Sequence, residues 1–144
     1  MWILFAIGAS VFWGLAYVIN EKVYNHIRVM PYLAITFLAA GAVMTVISIW
    51  TGEFFKDLAT VFSSQKLLGL VLWGIALLIV AEICIGFSIM GKNATVAGLI
   101  EISYPIFIIL FSYLLFRENH LTIATALGGA LVFIGIGVIY AFNR

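Results

Sequence analysis

Two carboxylic acids stand where the chain has little reason to hold a charge. Glu82 interrupts the apolar run from residue 67 to residue 90, and Glu101 interrupts the run from 94 to 116. Only Gly91, Lys92 and Asn93 separate these runs, so the two segments must form an antiparallel hairpin. Both acids lie at equal sequence distance from the middle of that loop. At a helical rise of about 1.5 Å per residue this is a depth of roughly 10 to 14 Å, near the centre of a hydrocarbon layer about 30 Å thick. A carboxyl group in hydrocarbon favours its neutral form, and two that face one another titrate as a coupled pair. Such a pair is suited to taking up and releasing protons near neutral pH, or to binding a cationic or zwitterionic substrate. Intramembrane ionisable groups mark pathways more often than not, which favours those roles over simple helix-to-helix hydrogen bonding.

Further residues group around these acids. Pro105 lies four positions after Glu101 and lacks the N–H that would bond the Glu101 carbonyl, which predicts a helix kink beside the carboxylate. Ala94, Ala97, Gly98, Glu101, Tyr104, Pro105 and Ser112 share one side at helical spacing. In the first apolar run, Ser10, Trp13, Gly14, Tyr17, Asn20 and Tyr24 form a second stripe that joins aromatic walls to polar tips. Trp13, Tyr17 and Tyr104 are therefore assigned with Glu82 and Glu101 to a substrate or proton site. Tyr24, near a helix end, is read as an interfacial anchor. Gly14, Gly98, Gly128 and Gly135 are assigned to close helix packing, which does the work between helices that burial from water does in soluble proteins.

The elements that must position these groups follow from composition. Of 144 residues, 65% are hydrophobic and 9% charged, against about 25% charged in a soluble domain. A water-facing surface cannot be built from so few charges, so membrane lipid is the implied solvent. The formal net charge of +1, spread singly, gives no basic patch and excludes a nucleic-acid partner. Cys84 is the single cysteine and sits in an apolar run, which leaves no intrachain disulfide. Charged and polar clusters punctuate spans at about 2–20, 32–51, 67–90, 94–116 and 121–142, with residues 1–144 read as a single five-helix domain. Pro31 suits the first turn of the second span. Between the second and third spans, Phe54, Phe55, Leu58, Val61 and Phe62 form an apolar face that fits a helix lying along the membrane surface. His26 and His120 fall in polar loops and are read as solvated. No alternating strand pattern, nucleophile–base set, phosphate-binding loop or metal-ligand cluster is present, so neither catalysis nor a cofactor is expected.

Loop charges barely bias the orientation. Lys56, Lys66 and Arg117 fall on the side of the N-terminus, and Lys22, Arg28, Lys92 and Arg144 on the other. Three against four permits insertion both ways up, because orientation normally follows a clear Lys/Arg excess in short cytoplasmic loops. Two oppositely inserted copies would form an antiparallel homodimer, the two-chain counterpart of an inverted-repeat transporter.

The landmarks Phe12-Trp13-Gly14, Glu101-Ile-Ser-Tyr-Pro105, Phe116-Arg117-Glu118 and Gly128-Gly129-Ala130-Leu131 with Gly135 resemble those of the EamA-type branch of the drug/metabolite transporter superfamily. The resemblance implies an all-α integral membrane protein of five transmembrane helices, half of an inverted-repeat transporter fold. Full-length members have two such repeats, so a half-sized member would have to dimerise to enclose a pathway. The resemblance implies secondary transport of a small metabolite or drug-like solute; the two intramembrane acids, Glu101 and Glu82, add the expectation of proton coupling, and a prokaryotic inner membrane is the expected location. One departure is Arg117, which stands where the family usually has glycine or another small residue before the loop glutamate. The alternatives are a non-transporting membrane scaffold or subunit that needs a partner protein, and a half that works only with a complementary half.

Overall fold

A computed structural model describes residues 1–119 and 121–142; the reading of His120 as a solvated loop residue and the place of Arg144 in the charge count lie outside them. Among the described residues the chain is helical: α1 (Trp2–Tyr24), α2 (Val29–Trp50), α3 (Phe54–Ser63), α4 (Gln65–Gly91), α5 (Ala94–Glu101), α6 (Tyr104–Phe111), a π-helical segment (Ser112–Phe116) and α7 (Ile123–Phe142). Five spans are long and apolar enough to cross a membrane, namely α1, α2, α4, the stretch Ala94–Phe116 and α7.

Helix ends deviate from the charge punctuation for identifiable reasons. The first helix runs past Asn20 to Tyr24 because its polar last turn is engaged by neighbours: Asn20 accepts a hydrogen bond from the Tyr32 hydroxyl at 2.6 Å, and Glu21 accepts one from the Ala94 amide at 2.6 Å. The second begins at Val29, three residues before the sequence boundary, with Pro31 still in the first turn, where amides have no partner inside the helix. Ser64 caps α4 through its hydroxyl, which accepts from Leu67 N at 3.4 Å and draws the helix start back to Gln65. Asn93 caps α5 by accepting from Val96 N at 2.8 Å, so its side chain is occupied in the turn rather than offered to solvent.

The fourth span is not one helix. It halts at Glu101, turns at Ile102 and Ser103, and restarts at Tyr104 with Pro105 in the first turn of α6. It then loosens into the π-helical segment and closes at Arg117, whose φ of 61° is left-handed.

The hub of the packing is α4, which contacts α1, α2, α3 and α5, while α5 also meets α1 and α7. The buried residues, Tyr17, Tyr24, Val29, Leu33, Ile89, Ala94 and Ala97, cluster at one end of the bundle, around the α1–α2 and α4–α5 connections. The opposite half of α1 is open: Trp2, Phe5 and Phe12 are exposed, as lipid-facing side chains should be. In α3, Phe54 and Val61 are half-buried while Phe55 and Phe62 point outward, an arrangement with an apolar edge left for the bilayer surface.

Candidate functional site

Helix α1 brings Tyr17 against α5. The ring is buried and sits over Gly98, where a Cβ would lie 3.3 Å from Tyr17 Cδ2, so the absent side chain lets the ring approach. From there the Tyr17 hydroxyl donates to Glu101 Oε2 at 2.5 Å. This links the first span to the last residue of α5, at the point where the fourth span breaks. Glu82, half-buried on α4, lies within electrostatic reach of both Glu101 and Tyr17, and Tyr104 within reach of Tyr17. Trp13, one turn before Tyr17, tilts its ring toward it at a centroid separation of 5.7 Å and a 60° interplanar angle, with half its surface open.

The candidate site therefore draws on four helices, α1, α4, α5 and α6. Glu101, Tyr17 and Glu82 form its polar centre, and Trp13 and Tyr104 its exposed aromatic edges. Ser10, by contrast, returns its hydroxyl to the Ala6 carbonyl at 3.1 Å and stays in its own helix. A carboxylate accepting from a phenol, with a second carboxyl nearby, can hold either a shared proton or a cation.

Of the glycines assigned to packing, Gly98 serves the Tyr17 ring, whereas a Cβ at Gly14, Gly128 or Gly135 would meet no described atom within 4 Å in a single copy. Gly129, another of the glycines that mark the fifth span, is tight, with its Cβ position 3.2 Å from Ile106 Cγ1; the tight glycine that sequence reasoning did not single out is Gly86, whose Cβ position is 2.7 Å from Val29 Cγ1 and 3.0 Å from the Tyr24 hydroxyl. Gly129 belongs to an apolar cavity of about 360 Å³ between α6 and α7, lined among others by Ile106, Leu121, Thr125 and Phe133. Tyr24 is buried against the bundle: its ring meets that of Tyr32 edge-on at 5.4 Å and covers Gly86, one turn from Glu82. Its seven-residue spacing from Tyr17 on one stripe was the signal available for this. Among the described residues no group of three His, Cys, Asp or Glu side chains is placed to hold a metal ion.

A family model matches residues 1–141, a stretch that runs through all five membrane-length helices. The chain belongs to the EamA-like transporter family. No curated protein and no solved structure matches it significantly. Membership makes it a membrane transporter of small solutes, and the match runs through all five spans. The EamA resemblance seen at Trp13-Gly14, Glu101–Pro105 and Gly128–Leu131 thus extends to the middle of the chain, where hydropathy was the sole likeness.

Proposed function

We propose that this EamA-family chain works as an antiparallel homodimer that exchanges protons for a small metabolite or drug-like solute at Glu101 and Glu82. The observation that carries the reading is the pair of carboxyls at the α4–α5 interface inside the membrane span, one of them held by Tyr17. A charged group at mid-bilayer costs at least about 2.5 kcal/mol on the mildest insertion scales, so two acids together need a ligand, a proton or water to offset that cost. Cargo and proton compete for the same oxygens, and protonation releases what the anion holds. Trp13, Tyr17 and Tyr104 supply aromatic walls for the apolar part of the cargo.

Dimerisation is supported by the incompleteness of the site in one copy. Trp13 and Tyr104 are half open, and α1 beyond Trp13 has an exposed face. The near-tie of loop charges supports the antiparallel arrangement. The test is solute flux in proteoliposomes under an imposed pH gradient. Flux should follow the gradient, Glu101→Gln should abolish that response, and Glu82→Gln should weaken it. Equal, gradient-driven flux in the double Gln variant eliminates proton coupling through these acids.

A further inference from the structure

We propose that Glu21 is a positioning residue for the transport site: through the amide of Ala94 it sets the register of α1 against α5 and closes one end of the site. The inference rests on the transport reading for its functional consequence, and on geometry alone for the contact itself.

Helices α1 and α5 run antiparallel, and two contacts fix their register. Tyr17 meets Glu101 at the deeper level, and one turn later on α1, Glu21 Oε2 accepts from Ala94 N at 2.6 Å at the first residue of α5. A carboxylate at that place gains both a charge-assisted hydrogen bond and the positive end of the helix dipole. The α5 N-terminus does not require Glu21 to form, because Asn93 already caps it through Val96 N. The Glu21 contact is therefore between helices, a dock and not a fold determinant of α5. It has a lateral brace: Tyr32 of α2 donates to Asn20, the residue next to Glu21, at 2.6 Å.

The consequence is directional. Buried residues gather where these contacts are made, with Ala94 and Ala97 of α5 almost fully covered, while α1 from Trp2 to Trp13 is open. Glu101 and Glu82 are thus closed off on the connecting-loop side by contacts within the single copy. Passage of a solute out through the loop end requires Ala94 N–H to leave Glu21, and that release also frees Tyr17 from its register over Gly98 and Glu101.

The experiment uses the full chain with Cys84→Ser, reconstituted in lipid vesicles, and a single reporter, Ala97→Cys, probed with a membrane-impermeant maleimide. In the parent the reporter is covered and reacts slowly. Glu21→Ala should raise its labelling rate on the order of tenfold, and Glu21→Gln, which keeps an acceptor oxygen but loses the charge, should fall between the two. In transport assays Glu21→Ala should raise KM more than it lowers the maximal rate, with partial recovery in Glu21→Gln. Labelling of Glu21→Ala at the parent rate would overturn the proposal. Where Glu21→Ala does not fold, an unchanged rate in Glu21→Gln together with an unchanged KM does so. Absence of flux in the parent itself counts against the transport reading and leaves the labelling result to decide on Glu21.

Discussion

Tyr17 and Glu101 are hydrogen-bonded across 84 positions of sequence, hydroxyl to carboxylate at 2.5 Å, and this bond sits where α5 stops. The two features belong together. Because Pro105 has no N–H to give, the span cannot run through as an unbroken helix without leaving a carbonyl unpaired, so it turns at Ile102 and Ser103 and leaves the Glu101 side chain beside α1. The glycine at 98 eases that approach, since a Cβ there would lie 3.3 Å from Tyr17 Cδ2.

Tyr17→Phe should keep the ring on Gly98 and remove the donor. A hydrogen bond to a charged group contributes about 1.5 to 3 kcal/mol, so the expected result is a rise in cargo KM of roughly tenfold or more. The maximal rate should change less. Concentration-dependent flux in proteoliposomes measures both, and an unchanged KM would show that the phenol plays no part in cargo binding.

Gly86→Ala should destabilise the chain by about 1 to 3 kcal/mol, the usual cost of overpacking. Its new methyl meets Val29 Cγ1 at 2.7 Å and the Tyr24 hydroxyl at 3.0 Å, and both side chains belong to the buried cluster. Gly74→Ala is the control. Position 74 has open space in the same helix, and alanine is the better helix former by about 1 kcal/mol. Thermal unfolding in detergent should move down for the first and be level or up for the second.

The spans were legible because charge is nearly excluded from hydrocarbon, so Glu53, Arg117 and their polar neighbours marked the ends. The acids were legible for the same reason, as charges that punctuate nothing. Hidden were the contacts made by residues that look like punctuation. Asn20 and Glu21 read as the start of a loop, yet they carry hydrogen bonds to Tyr32 and Ala94, because a polar group at a helix end is equally at home in water or against another helix. Pairing across 73 positions between Glu21 and Ala94 leaves no local trace in the sequence. Nor could spacing tell which glycines are crowded: Gly128 and Gly129 are adjacent, and the second alone meets a side chain.

Single cysteines at Asn25 and at Ser63, each in a Cys84→Ser background, report opposite ends of the spans. Dual insertion predicts that an impermeant thiol reagent added outside cells labels a substantial fraction of each and leaves the remainder for labelling after permeabilisation. Complete labelling of one site and none of the other would establish a single orientation and exclude the antiparallel pair.

Arg117 joins conformation to topology. It closes the fourth span with φ at 61°, where a side chain costs about 1 to 2 kcal/mol relative to glycine, and its amide bonds the Tyr113 carbonyl at 3.0 Å, as a left-handed helix terminator does. This accounts for the small residue expected at that place from the family pattern. Arg117→Gly should therefore stabilise the chain by about 1 kcal/mol, somewhat offset by glycine's freedom when unfolded. The same change lowers the positive side chains on the N-terminal side from three to two, against four opposite, counted from the sequence. Orientation should then shift toward placing Lys22, Arg28 and Lys92 in the cytoplasm. Because an antiparallel dimer needs both orientations, flux per molecule should fall even as the melting temperature rises. Arg117→Asn, which tolerates the left-handed conformation but also loses the charge, should lose flux in the same way. Mixing either variant with a copy biased the other way by an added Lys in the Glu53 loop should restore it. Failure of that mixture to recover flux, with both copies inserted in opposite senses, would separate the charge effect from pairing and remove the basis for the antiparallel dimer.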